Sequence, residues 1–166
     1  LVTFVPIMWH LRGGSLVSGA SIITTMIVVG VIGNLAGGHL ADRIGRLPVL
    51  MASALAAAGL VAAMVFASGA WLWILAAPLG AALFLTASTT VLIGQDIFPE
   101  NRSMGSGIAL GFSNGIGALL TLLIGLWVSD RDVTTVLWLV AGLSAASAPL
   151  ALALPGRLLG LREDAG

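Results

Sequence analysis

Apolar residues run almost unbroken through five long stretches, and polar residues gather in the short breaks between them. Val17 to about Gly37, Leu47 to about Ala67, Trp71 to about Gly94, Ser103 to Val128 and Val133 to about Leu154 are the five. Each matches the ~20 apolar residues needed to cross ~30 Å of hydrocarbon. A shorter run over residues 1–9 stops at His10-Leu11-Arg12-Gly13-Gly14 and reads as the end of one further helix that starts upstream. The pattern predicts an all-α integral membrane fold: one bundle over residues 1–156, with five complete transmembrane helices plus the end of another, and a polar tail over 157–166.

The breaks are mostly small. Ser68-Gly69-Ala70 and Ser129-Asp130-Arg131-Asp132 are minimal loops. Two are richer. Gly38-His39-Leu40-Ala41-Asp42-Arg43-Ile44-Gly45-Arg46 packs an acid and two arginines between two apolar runs. A charge at mid-bilayer costs roughly 2.5–3.5 kcal/mol on insertion scales, so this stretch is expected as a water-facing hairpin loop. Gly45 suits a tight turn and Pro48 the first turn of the next helix. The second, Gln95 to Arg102, holds Gln95, Asp96, Pro99, Glu100 and Arg102 and is expected as a polar connection.

Composition narrows the class. The chain is 58% hydrophobic and only 8% charged, against about 25% charged in soluble domains. Seven basic and seven acidic residues balance, so nothing points to nucleic acid. The absence of cysteine excludes disulfides and thiolate metal sites within these 166 residues, and the two histidines offer no cluster for metal or catalysis. No enzymatic activity, cofactor or metal is expected.

The basic residues are all arginine, and they are unevenly placed. Arg43, Arg46, Arg102, Arg157 and Arg162 fall on one side of the predicted spans; Arg12 and Arg131 fall on the other. The positive-inside rule puts the first group, and the C-terminus with it, in the cytoplasm of an inner (plasma) membrane. Trp9, Trp71, Trp73 and Trp127 sit at the opposite helix ends, with Trp138 within two turns of them, as an interfacial aromatic belt requires.

The spacing G-x-x-x-D-R-x-G-R, carried by Gly38, Asp42, Arg43, Gly45 and Arg46, resembles the cytoplasmic loop motif of the major facilitator superfamily of secondary transporters. That motif lies between the second and third helix of each six-helix half. With the C-terminus inside, the register is that of the C-terminal half, its first helix only partly present. The family usually carries another basic residue just after the motif, where this chain has Leu47-Pro48-Val49. The resemblance implies alternating access, with the motif residues in a latch between halves that opens as the protein switches state. In such a latch Asp42 is expected to accept from a free helix N-terminus or to pair with Arg43 or Arg46. It also implies as partners the N-terminal half of the same transporter, a small-molecule substrate and the lipid bilayer. The substrate site lies near mid-membrane between halves. Gln95, Asp96, Pro99 and Ser106-Gly107 are further similar to the fosmidomycin-resistance branch of drug-efflux transporters, over about thirty residues. Proton-coupled efflux of a drug or metabolite is the reading that follows. Uptake by symport and a non-transporting scaffold or receptor-like relative are the alternatives.

Three further groups are candidates. Gly107, Gly111 and Gly115, at four-residue spacing, predict a helix face for close packing. Asn114, with Ser113 and behind them Thr86 and Thr90, are expected to line a substrate cavity, because an amide at mid-span is harder to satisfy locally than a hydroxyl. Asp96, nearest a helix end, is the gating candidate of the second connection. The G-x-S-x-G pattern at Gly111–Gly115 lies inside an apolar helix with no histidine after it, so it carries no hydrolase chemistry.

Overall fold

The structure is a computed structural model, and it describes residues 4–127 and 133–153. Among them lie six α-helices and no strand: α1 (Phe4–Leu11), α2 (Leu16–Ile44), α3 (Arg46–Phe66), α4 (Trp71–Ile97), α5 (Arg102–Trp127) and α6 (Val133–Leu150), the last followed by a 3₁₀ turn at Ala151–Ala153. Five of the six are long and apolar enough to cross a membrane. Residues 128–132 and 154–166, where a short loop and a polar tail are expected, lie outside the described residues, and with them Arg131, Arg157 and Arg162.

The helix ends follow local chemistry. Ser15 caps α2, its Oγ accepting from the Ser18 N–H at 3.2 Å. Pro149 cannot donate to the ladder, and α6 gives way to the 3₁₀ turn one residue later, short of the predicted Leu154. Arg12, in the α1–α2 connection, donates to the carbonyls of Val65 (2.7 Å) and Ala67 at the end of α3. A cation on those orphan carbonyls satisfies both hydrogen bonding and the helix dipole.

The charged hairpin is built differently from the expected loop. α2 continues as helix through Gly38–Ile44, Gly45 alone makes the turn, and Arg46 already belongs to α3. The reason is length. Twenty-nine residues rise about 43 Å, more than the ~30 Å of hydrocarbon, so the last two turns stand clear of it without unwinding. Gly45 takes φ +88°, ψ 160°, a conformation that side chains with Cβ rarely adopt. The second connection shortens in the same way: Gln95 and Asp96 are on α4, and only Phe98–Asn101 is loop.

Packing is led by α2 on α4. Gly30, Gly33 and Gly37 of α2 and Gly80 of α4 let the two backbones meet. A Cβ added to Gly33 would stand 2.6 Å from Ala81 Cα, and one added to Gly80 would overlap the Met26 carbonyl. Farther along, Gly94 and Gly105 bring α4 and α5 together in the same manner, a Cβ on Gly94 falling 2.7 Å from the Gly105 oxygen. The predicted ladder does not take part. Nothing lies within 4 Å of where a Cβ would stand at Gly107, Gly111 or Gly115, because these glycines face away from the described helices.

The apolar core sits toward the end where α1, the start of α2 and the end of α3 meet. Ile22, Met64, Leu72, Leu79, Val61, Val136 and Leu137 are almost wholly buried there, with Phe4, Val5 and Met8 of α1 among them. The indoles mark this end. Trp9 and Trp73 meet edge to face at 5.0 Å, and their N–H groups donate to Ser18 (2.6 Å) and Ser21 (3.1 Å). The fully buried residues of this core come from α1–α4 and α6; α5 adds only Ile124, partly buried against it.

Gly80→Leu is expected to abolish stable folding, since overpacking against backbone costs at least the 1–3 kcal/mol of a tight core. Gly125→Leu, where a Cβ meets nothing, is expected to leave thermal stability within a degree or two. Melting curves of the two purified variants check this, and equal melting temperatures would contradict the packing described.

Candidate functional site

At the end of the bundle opposite the tryptophans, the two charged segments converge. Arg46, the first residue of α3, reaches the last turn of α4 and places Nη1 2.6 Å from Asp96 Oδ2. The pair spans the Gly45 turn and the α4–α5 hairpin. Arg46 is largely covered, at 18% exposure, while Asp96 is 41% exposed. Partial burial on one side strengthens the attraction, and exposure on the other screens it; such a pair contributes up to about 1 kcal/mol.

The turn geometry brings these two residues together. Because Gly45 is the whole connection, Arg46 starts its helix at the level where α2 ends. The glycine contact of α2 with α4 then holds the end of α4 within reach. Gly37 lies against the Leu85 backbone, and Gly38, the first motif glycine, faces the Ser88 hydroxyl. So the motif's leading glycine lies next to the last residue of the stripe that holds α2 against α4.

Asp42 and Arg43 stand in the last turn of α2, both exposed. Arg46 pairs with Asp96 rather than with Asp42, and Asp42 forms no ion pair among the described residues. Of the partners expected for Asp42, neither Arg43 nor Arg46 pairs with it among the described residues, and Arg46 leaves the turn toward α4. Arg43 places its charge at the helix C-terminus, where the dipole favours it.

In the second connection, Gln95 donates to the Ser106 hydroxyl at 2.8 Å, which in turn donates to the Arg102 carbonyl at 3.0 Å. This staples α4 to α5 directly above the Gly94–Gly105 contact. Pro99, Glu100 and Arg102 are exposed.

The four residues expected at a cavity do line one cleft. Thr86, Thr90, Ser113 and Asn114 share an open space of about 280 Å³ with Ala54 and Ala57 of α3 and with Ser144 and Ser147 of α6. The hydroxyls are largely committed already. Thr86 donates to Ala82 O (3.1 Å) and touches Ser53 Oγ (2.7 Å); Thr90 donates to Thr86 O (2.8 Å); Ser147 donates to Ser144 O (2.7 Å). Ser113 and Asn114 are exposed and make no hydrogen bond among the described residues. Sequence reading had no means to find Ser53, Ser144 and Ser147, since hydroxyls at those spacings read as ordinary helix surface. The Gly30, Gly33, Gly37 stripe, by contrast, was visible as an i, i+3, i+7 pattern.

No protein-family model matches the chain, and no solved structure does. Two curated relatives do. The chain is 30% identical over 127 residues to the uncharacterized MFS-type transporter YfnC of Bacillus subtilis (strain 168), covering 76% of this chain and 31% of that protein. It is also 30% identical over 104 residues to the fosmidomycin resistance protein of Escherichia coli (strain K12), covering 63% of this chain and 26% of that protein. The chain therefore spans between a quarter and a third of the length of these relatives. With five apolar spans arranged in one all-α bundle and the charged turn between the first two of them, the two matches place the chain in a multi-pass membrane protein. It belongs to the major facilitator superfamily.

Proposed function

We propose that this bundle is the C-terminal half of a secondary transporter that moves a small solute across the inner membrane by alternating access. The observation that carries the reading is the Arg46–Asp96 pair, which ties the motif turn to the α4–α5 hairpin at one membrane face. A carrier that opens alternately to two sides needs contacts at each face that hold in one state and release in the other. A single partly exposed ion pair has the right size for that: strong enough to bias a state, weak enough to break. The five-to-two arginine bias argues that this face, and the C-terminus, are cytoplasmic.

Asp42 extends the reading. Asp42 is exposed and in no ion pair among the described residues, and we read its carboxylate as accepting from a helix N-terminus of the other half to close the cytoplasmic side. Efflux of a drug or metabolite against protons is the direction we favour, on the strength of the fosmidomycin resistance protein as a relative. Metabolite uptake by symport is the second reading. The described helices hold no carboxylate deep in a span, so a proton-carrying group would belong to the other half or to Asp96 near the face.

Two measurements on the full-length protein test this. Asp42→Asn is expected to lower solute flux in vesicles severalfold with unchanged amounts of protein in the membrane. Wild-type flux in that variant would remove Asp42 from the latch, and the absence of flux in the wild type, for fosmidomycin and a panel of drugs and metabolites, would favour the scaffold reading. For the clamp, Arg46→Asp is expected to reduce flux. Adding Asp96→Arg should restore a substantial part of it, because the reversed pair keeps the contact. A double variant no better than the single one would show that the pair does not control the cycle.

A further inference from the structure

A second cleft, of about 320 Å³, opens between α2, α4 and α5, and it shares only Ala87 and Leu110 with the cleft of Thr86 and Asn114. Its place follows from the glycine crossing. A Cβ on Gly30 would meet the Phe84 ring and one on Gly37 the Ser88 side chain, so α2 and α4 run side by side with a groove along their seam. Asn34 comes between those two contacts on α2 and lines the groove. The Ser88 hydroxyl is turned toward α2, 3.8 Å from where a Cβ on Gly38 would stand. Asn34 precedes the last residue of α2, Ile44, by a rise of about 15 Å. With the last two turns clear of hydrocarbon, the cleft lies at the inner edge of the membrane rather than at its middle.

Two polar side chains here lack partners. Thr86, Thr89 and Thr90, the neighbouring hydroxyls of α4, each donate to a carbonyl one turn back. Ser88 stands among them yet makes no hydrogen bond among the described residues, and neither does the exposed Asn34 amide. Lipid tails could not satisfy either group, so what fills the cleft must be able to. The rest of the wall is apolar, with Phe84, Val91, Leu92 and Leu110, and no charged side chain lines it. That absence selects the chemistry. A cation or a phosphonate leaving water for this place would need an opposite charge to meet it. An amide or hydroxyl beside an apolar face needs only a donor, an acceptor and a flat surface, which Asn34, Ser88 and Phe84 present.

We propose that this cleft is a subsite at the cytoplasmic mouth of the transport path, where Asn34 and Ser88 bind uncharged amphipathic solutes. The proposal rests on the transporter reading for its occupant and adds that occupant's chemistry. It also joins recognition to the charged turn. Gly38 is both a wall of the cleft and the first residue of the motif, so a bound solute lies about one helical turn from Asp42.

The 166 residues contain no cysteine, so a single one reports without background from this half. Leu92→Cys is made in the full-length protein, with any upstream cysteines replaced, and studied in open membrane fragments that admit reagents to both faces. Val91→Cys, on the same wall, serves as a second reporter should the first misfold. N-ethylmaleimide is expected to label the thiol, because the reactive thiolate forms in a wet cleft and not in hydrocarbon. Three probes share one ring and differ in the head: N-benzylacetamide, benzylammonium and benzylphosphonate. The amide is expected to slow labelling, and the two ions at the same concentration to leave it unchanged. Adding Asn34→Ala or Ser88→Ala should weaken protection by the amide about fivefold, the worth of one hydrogen bond. Asn34→Asp should transfer protection to benzylammonium. The absence of labelling at both reporters would overturn the proposal, a helix or lipid then covering the groove. Equal protection by all three probes, or protection indifferent to Asn34 and Ser88, would overturn it as well. Flux is measured separately: protection without flux would remove the transporter reading and keep the subsite, and flux without protection would do the reverse.

Discussion

The contact on which the bundle depends is the backbone meeting of α2 and α4. Water gives no help inside hydrocarbon, where a leucine is as well solvated by lipid as by a neighbouring helix, so association rests on close van der Waals contact. Gly30, Gly33, Gly37 and Gly80 supply it by removing the side chains that would hold the helices apart. Everything at the charged end inherits its position from this crossing. It sets where α4 finishes, and so puts the Asp96 carboxylate within 2.6 Å of Arg46. The Gly94–Gly105 contact then repeats the device and hangs α5 on α4.

The two ends of the bundle are held by different physics. At one, Phe4, Met8, Ile22, Met64, Leu72 and Leu137 bury one another, Arg12 caps α3, and indoles tie α1 and α4 to serines of α2. At the other, the described residues are joined mainly by the Arg46–Asp96 ion pair, the Gln95–Ser106 bond and the glycine contacts of α4 with α2 and α5. Local openings draw on regions with few buried apolar contacts, and on that ground the charged end is the one expected to open first. A rigid end and a lightly clamped end suit a body that rocks about one side of a membrane.

Much of the architecture was legible in the chain. Runs of twenty apolar residues can hardly be anything but spans, and the helices begin within two residues of the expected positions. The ends were less legible. Charge marks where hydrocarbon stops, not where a helix stops, so Asp42 and Asp96 read as loop residues although each rides on a helix longer than a bilayer span. Partners were less legible still. Gly107, Gly111 and Gly115 have as regular a spacing as Gly30, Gly33 and Gly37, yet among the described helices only the second set meets a neighbour. Spacing tells which residues share a face; it says nothing of what stands opposite.

The same argument explains why the charged motif was easier to read than the cleft. Charge is excluded from hydrocarbon, so a charged cluster marks a water-facing helix end, and five motif residues at fixed spacing leave few readings open. Hydroxyls are inexpensive, because a serine or threonine can return its proton to its own helix, as Thr24, Thr25, Thr89 and Thr121 do here. A cleft edged with them therefore carries little information about what fills it. Asn114 is the exception: its amide makes no hydrogen bond among the described residues, on its own helix or any other, so its place on the cleft wall says more than that of the hydroxyls around it.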